Sequence, residues 1–171
     1  MNPLLTAIQR GDIDRVKTLL TAGAPVRRNA WRRFWLKHEP TPLQMAVRWR
    51  ATPIVECLLD HGADPNDGTL THLLPLPEAC YRGDFATIEL LASRGADLNP
   101  IGDEPSPLNV AATNGREDVV DWLLEHGADP SVIFASHVAV HRISCSILAR
   151  VIDAGGKAPP EVEKAVRAGK W

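Results

Sequence analysis

Small and apolar positions recur along this chain in a fixed phase, anchored on Gly23, Gly62, Gly95, Gly127 and Gly155. Sixteen residues before each anchor stands an alanine: Ala7, Ala46, Ala79, Ala111 and Ala139. Twenty before stand Pro3, Pro42, Pro75, Pro107 and Ala135, and twelve before stand Gly11, Arg50, Gly83, Gly115 and Ile143. Four and three before come Leu19 and Leu20, Leu58 and Leu59, Leu91 and Ala92, Leu123 and Leu124, Val151 and Ile152. So dense a phase marks one supersecondary unit repeated along the chain.

The segment from Glu104 to Ser131 predicts the form of that unit. Ser106 suits an N-cap, and Pro107 fits the first helical position, where its missing N–H has no intrahelical partner to lose. Leu108, Ala111 and Ala112 make a narrow apolar face whose alanines let a second helix approach closely. Gly115 ends this helix, because glycine tolerates the left-handed conformation that closes a C-terminus. A second helix runs through Val119, Val120, Leu123 and Leu124 and ends at Gly127. The tail Gly127-Ala128-Asp129-Pro130 then turns away. Each unit therefore reads as helix, turn, helix, extended turn.

Thr41-Pro42-Leu43-Gln44-Met45-Ala46 and Ser106-Pro107-Leu108-Asn109-Val110-Ala111 resemble the opening signature of the ankyrin repeat. Gly62-Ala63-Asp64-Pro65-Asn66, Gly95-Ala96-Asp97-Leu98-Asn99 and Gly127-Ala128-Asp129-Pro130-Ser131 resemble its closing one. The resemblance implies an all-α fold, an ankyrin-repeat α-solenoid of stacked helix-turn-helix units with short hairpin-like turns. About five units are expected, near residues 2–26, 39–67, 72–99, 104–131 and 134–156, in a single domain 1–171 with a half-repeat cap at 160–171. The signature histidine is replaced by Leu5, Gln44, Pro77 and Asn109 and stands only as His137 in the fifth unit. A weakened network at that position and irregular first turns, especially at Pro75 and Pro77, are the expectation.

A solenoid needs polar terminal units, because each inner unit gains its stability by stacking on neighbours. Asn2, Gln9, Arg10 and Asp14 meet this demand at one end, and Glu161, Glu163, Lys164 and Arg167 at the other. No run approaches 18 uninterrupted apolar residues, and Met1-Asn2-Pro3 leads directly into the first unit, so neither a membrane span nor a signal peptide is expected. Cys57, Cys80 and Cys145 all fall at helix positions, an odd count that suits reduced, packed thiols and a cytoplasmic location.

The net charge of −2 conceals a segregation. Residues 1–50 hold ten Lys or Arg against three acids, residues 51–130 three against fifteen, and residues 131–171 six against three. Such a field steers encounters and orients partners more than it sets affinity.

The anchors lie 39, 33, 32 and 28 residues apart, so the first gap exceeds the family's period of about 33 by an insertion at 27–38. It contains Arg28, Trp31, Arg32, Arg33, Phe34 and Trp35. The resemblance puts these residues in the finger region beside the concave face, where insertions meet ligands. The three aromatics have helical spacing, with arginines flanking them. The competing reading folds Trp31 and Trp35 back over the apolar edge between the first two units. The ends of the first helices supply a second cluster: Gln9 and Arg10, Arg48 and Trp49, Tyr81 and Arg82, Thr113 and Asn114, His141 and Arg142. In the family such positions line the groove, and Trp, Tyr and Arg dominate interface hot spots. Trp122, on a second helix, reads as packing.

Other chemistry is thinly represented. His137, His141 and Cys145 recur every four residues, but the third is too distant for a shared metal on a straight helix. His61 and His126 precede anchor glycines, where an imidazole suits a helix C-terminus. No phosphate loop or nucleophile elbow is present, so no enzymatic activity and no cofactor are expected. The basic aromatic insertion could hold nucleic acid by phosphate contact and stacking, yet the acidic middle segment would repel a polyanion along the groove. The expected function is a protein-binding module acting by occlusion: a small cytosolic inhibitor or immunity-type protein that is monomeric alone and binds an acidic surface one-to-one. An adaptor or secreted effector bridging host proteins is the alternative. Inhibition is an analogy, since repeat folds accept unrelated partners.

Overall fold

The computed structural model of the protein describes residues 2–26, 40–68, 73–101, 105–133 and 143–170. The described residues form ten α-helices and one 3-10 turn, with no strand among them. They are α1 (Pro3–Gln9), α2 (Ile13–Thr21), α3 (Pro42–Arg48), α4 (Thr52–Asp60), α5 (Pro75–Arg82), α6 (Phe85–Ser93), α7 (Pro107–Thr113), α8 (Glu117–Glu125), the turn Pro130–Ile133, α9 (Cys145–Asp153) and α10 (Pro160–Arg167). The helices from α1 to α8 come as short-then-longer pairs, as the phase of the sequence requires. Two compact units are present. One takes in the described residues of Met1–Ala79 and Asp84–Asp97, and the other those of Cys80–Gly83 and Leu98–Trp171.

In the first unit, α1 packs on α2 and on α3, α3 on α4, and α4 on both α2 and α6. The alanines of the phase, Ala7 and Ala46, are buried, and Leu4, Ile8, Leu43, Val47, Val16, Ile54, Val55 and Leu58 close around them. In the second unit, α7 packs on α8 and on the 3-10 turn, α8 on α9, and α9 on α10. Its core is Leu108, Ala111, Ala112, Val119, Val120, Leu123, Ile133, Ile147, Leu148 and Val151. On α10 only Val162 and Val166 are buried, while Glu161, Lys164 and Arg167 are exposed, so this last helix has the polar outer face expected of a cap.

The helix starts follow the caps read from sequence. Asn2, Thr41 and Ser106 each accept a backbone N–H with their side chains ahead of a proline at the first helical position. The expectation of a weakened network at the histidine position is corrected at Gln44. Gln44 accepts from the Thr41 N–H at 2.9 Å, its own N–H donates to Thr41 Oγ1 at 3.1 Å, and its Nε2 donates to the Leu73 carbonyl at 2.9 Å. The network is thus complete at this position. Among the described residues Asn109, one methylene shorter, leaves a buried Oδ1 without a hydrogen-bond partner. Nor is the start of α5 irregular. The helix is continuous from Pro75, with Glu78 N–H donating to Leu74 O at 3.0 Å. Pro75 and Pro77 both lie in its first turn, where backbone N–H groups have no intrahelical acceptor.

Candidate functional site

The first helices end in a common way. After α1, α5 and α7 a glycine takes a left-handed conformation: Gly11 at φ +67, Gly83 at +63 and Gly115 at +68. After α3 the same turn is made by Arg50 at φ +54, which alone among the described non-glycine residues has positive φ. These turns leave the residues just before them at the surface, where most of the sequence-predicted contact residues lie.

In the first unit, Arg10 caps the end of α1, Arg48 is the last residue of α3, and Trp49 caps it. Arg10 and Arg48 are exposed and make no ion pair with any described residue, and 58% of Trp49 is exposed. Since α1 packs on α3, the ends of two touching helices carry these side chains. A positive side chain at a helix C-terminus is favourable in itself, which accounts for part of the arginine content. An exposed indole has no such structural account. Arg94, which caps α6, is differently placed: it is engaged by Asp60 at 2.7 Å and Glu56 at 4.0 Å on α4.

In the second unit, Tyr81 is 46% exposed and Arg82 half-buried at the end of α5. Thr113 and Asn114 end α7, but much of their polarity is spent locally. The Thr113 hydroxyl donates to Asn109 O at 2.7 Å, and Asn114 Nδ2 donates to Val110 O at 2.8 Å. Arg116 is a neighbour that the sequence did not single out. Its Nε donates to the Tyr81 carbonyl at 3.2 Å, and its guanidinium lies over Gly83, where a Cβ would touch it at 3.5 Å. Arg150 on α9 pairs with Asp121 and, at 3.2 Å, with Glu117 on α8. Arg28, Trp31, Arg32, Arg33 and Trp35 of the insertion lie outside the described residues, as do His137, His141 and Arg142.

Several residues considered for chemistry have structural partners instead. His61 Nδ1 lies 2.8 Å from Cys57 O and His126 Nδ1 lies 2.7 Å from Trp122 O, so both imidazoles serve helix ends. The Trp122 indole stacks on His126 with ring centroids 3.9 Å apart. Burial pushes the Cys80 thiol up to about 12, and that of Cys57 also upward, while Cys145 Sγ, half-buried, donates to Val166 O at 3.4 Å. Among the described residues no group of three His, Cys, Asp or Glu side chains is placed to hold a metal ion, and no helix is long and apolar enough to cross a membrane.

Comparison with known proteins matches this architecture. A family model for ankyrin repeats, three copies long, matches residues 1–69 and 71–133. The chain is 34% identical over 124 residues to cyclin-dependent kinase 4 inhibitor B of Mus musculus, covering 70% of this chain and 88% of that protein. It is 34% identical over 126 residues to cyclin-dependent kinase inhibitor 2A of Homo sapiens, covering 70% of this chain and 74% of the human one. It is also 35% identical over 133 residues to ankyrin repeat and KH domain-containing protein mask-1 of Caenorhabditis elegans, covering 74% of this chain but only 5% of that much longer relative.

Proposed function

Because this chain belongs to the ankyrin-repeat family, whose members are protein-binding modules, we propose that it works by occlusion, as a small inhibitor or immunity-type protein that covers an acidic surface of one partner protein. The observation that carries this reading is Trp49, an exposed indole between Arg48 and Arg50 at the end of α3, with the unpaired Arg10 on the adjoining helix. Aromatic anchors bracketed by arginine are what hot spots are made of, and a cationic rim selects a carboxylate-rich counterpart. On the second unit Tyr81 and Arg82 supply an aromatic and a cation, and Thr113 and Asn114 are proposed as further polar contacts. The insertion contributes Arg28, Trp31, Arg32, Arg33 and Trp35. The kinase-inhibitor names of two relatives support the inhibitory form of the proposal. The chain is proposed to be monomeric alone, to act in the cytoplasm, and to bind its partner one-to-one.

The test is capture from source-cell lysate at moderate salt by tagged wild-type protein and by the double variant Arg48→Glu, Trp49→Ala. One dominant protein is expected, lost in the variant, sedimenting with the chain as a one-to-one complex and losing its own activity there. Equal capture by the correctly folded variant, or capture of nucleic acid removable by nuclease, overturns the proposal.

A further inference from the structure

Arg50 makes a turn that elsewhere belongs to glycine. Its N–H donates to Val47 O at 2.9 Å, just as those of Gly11, Gly83 and Gly115 donate to Ile8, Cys80 and Ala112 at 3.0, 3.1 and 3.2 Å. The backbone task is therefore the same at all four positions, and glycine performs it without the clash between Cβ and carbonyl that an L-residue meets at φ +54.

The fold gives little back for this strain. The Arg50 side chain is 59% exposed, and among the described residues its ionic neighbour is Asp84, with Nε 4.0 Å from Oδ2. That distance is too long for a hydrogen bond, and the same Oδ2 already accepts from Thr87 Oγ1 at 2.9 Å. Asp84 thus has a hydrogen-bond donor within its own helix start, and the contact of the guanidinium with it is the long one through Nε. Strain that the surrounding structure does not use points to a function. Adjacent in sequence are the exposed Arg48 and Trp49, so three consecutive residues present two cations and an indole.

We propose that Arg50 is a specificity-determining residue of the binding surface, whose guanidinium receives a carboxylate from an acidic segment of the partner protein while an apolar side chain of that segment lies on Trp49. The occupant follows from complementarity. An arginine fork takes a carboxylate in two parallel hydrogen bonds, and an indole takes apolar or aromatic surface. The inference rests on the protein-binding reading above and narrows it to a partner segment in which Asp or Glu adjoins an aliphatic or aromatic residue.

The experiment uses the full chain and a displayed library of random twelve-residue peptides selected on the wild type. Selected peptides are expected to carry an acid next to an apolar residue. The tightest of them, labelled with fluorescein, is then titrated by anisotropy against wild type, Arg50→Gly and the Arg48→Glu, Trp49→Ala double variant, with thermal unfolding of each in parallel. Arg50→Gly is expected to raise the unfolding midpoint by a few degrees and to weaken the peptide tenfold or more. A lowered midpoint would assign Arg50 to the stabilisation of Asp84 and overturn the inference. So would unchanged affinity for Arg50→Gly alongside loss in the double variant, which leaves the wider reading intact. Unchanged affinity in both variants removes the wider reading as well. Selected peptides without acids, or no selected peptide, overturn the proposed partner chemistry.

Discussion

The Asn66 side chain spans to a segment 29 residues onward: its Nδ2 donates to Gly95 O at 3.0 Å, and its Oδ1 accepts the Asp97 N–H at 2.8 Å. Asn99 repeats the arrangement in the second unit, donating to Gly127 O at 3.0 Å and accepting from the Asp129 N–H at 2.7 Å. A single primary amide thus serves both a carbonyl and an N–H of the next turn. Asn66→Ala and Asn99→Ala are each expected to lower stability by about 1 kcal/mol, since both bonds are partly open to water. Urea unfolding is the check, with a lower midpoint and an unchanged slope as the expected result.

Gln44 and Asn109 occupy equivalent positions with unequal partners. Gln44 is buried and engages Thr41 and Leu73, so Gln44→Ala takes the partner from the buried Thr41 N–H and from the part-buried Leu73 carbonyl and is expected to cost about 2–3 kcal/mol. Asn109 Oδ1 already lacks a partner, and Asn109→Ala is expected to cost about 1 kcal/mol or less. Denaturant titration of the two variants side by side gives the difference. Equal losses would contradict the role assigned to Gln44.

Cys80 stays protonated in the folded chain, because burial raises its thiol from 9.0 to about 12. The unfolded chain ionises near the ordinary value, so between these limits the unfolded state binds fewer protons and stability falls as pH rises. The contribution is complete below pH 9.0 and is lost progressively toward about 12. Cys80→Ala is expected to flatten the alkaline limb of a stability-versus-pH curve. Alkylation of the native chain at pH 8 is expected to modify the half-buried Cys145 well before Cys80, read by peptide mass mapping.

Trp49 and Tyr81 separate binding from folding. Both residues are exposed, so Trp49→Ala and Tyr81→Phe are expected to change stability by no more than about 0.5 kcal/mol. If Trp49 anchors the partner, its truncation costs about 2 kcal/mol of affinity, a roughly thirtyfold weakening measurable by calorimetry. A large loss of stability in Trp49→Ala would instead place the indole in the packing of the first unit.

The parts legible from sequence were those where backbone conformation restricts residue choice. Gly23, Gly62, Gly95, Gly127 and Gly155 all have positive φ, and the alanines Ala7, Ala46, Ala79 and Ala111 are all buried at helix contacts. The exposure of Trp49 and Tyr81 followed from the same phase. What sequence did not reveal was decided by side-chain reach. Arg116 meets a carbonyl 35 residues earlier, and nothing in local spacing announces it. Thr113 and Asn114 read as free polar contacts, but each turns back on its own helix, a rotamer choice that composition does not encode. Pro77 looks like a disruption in sequence, but a proline in the first turn of a helix removes no bond.

The asparagine bridges and the proposed contact residues draw on separate positions of each unit. Asn66 and Asn99 hold the turns that follow the second helices, whereas Arg48, Trp49, Thr113 and Asn114 stand at the ends of the first. Substitution of Arg48 and Trp49 is therefore expected to disturb folding less than substitution of the bridges. A lineage carrying this chain is free to explore new partners one side chain at a time without passing through unfolded ancestors.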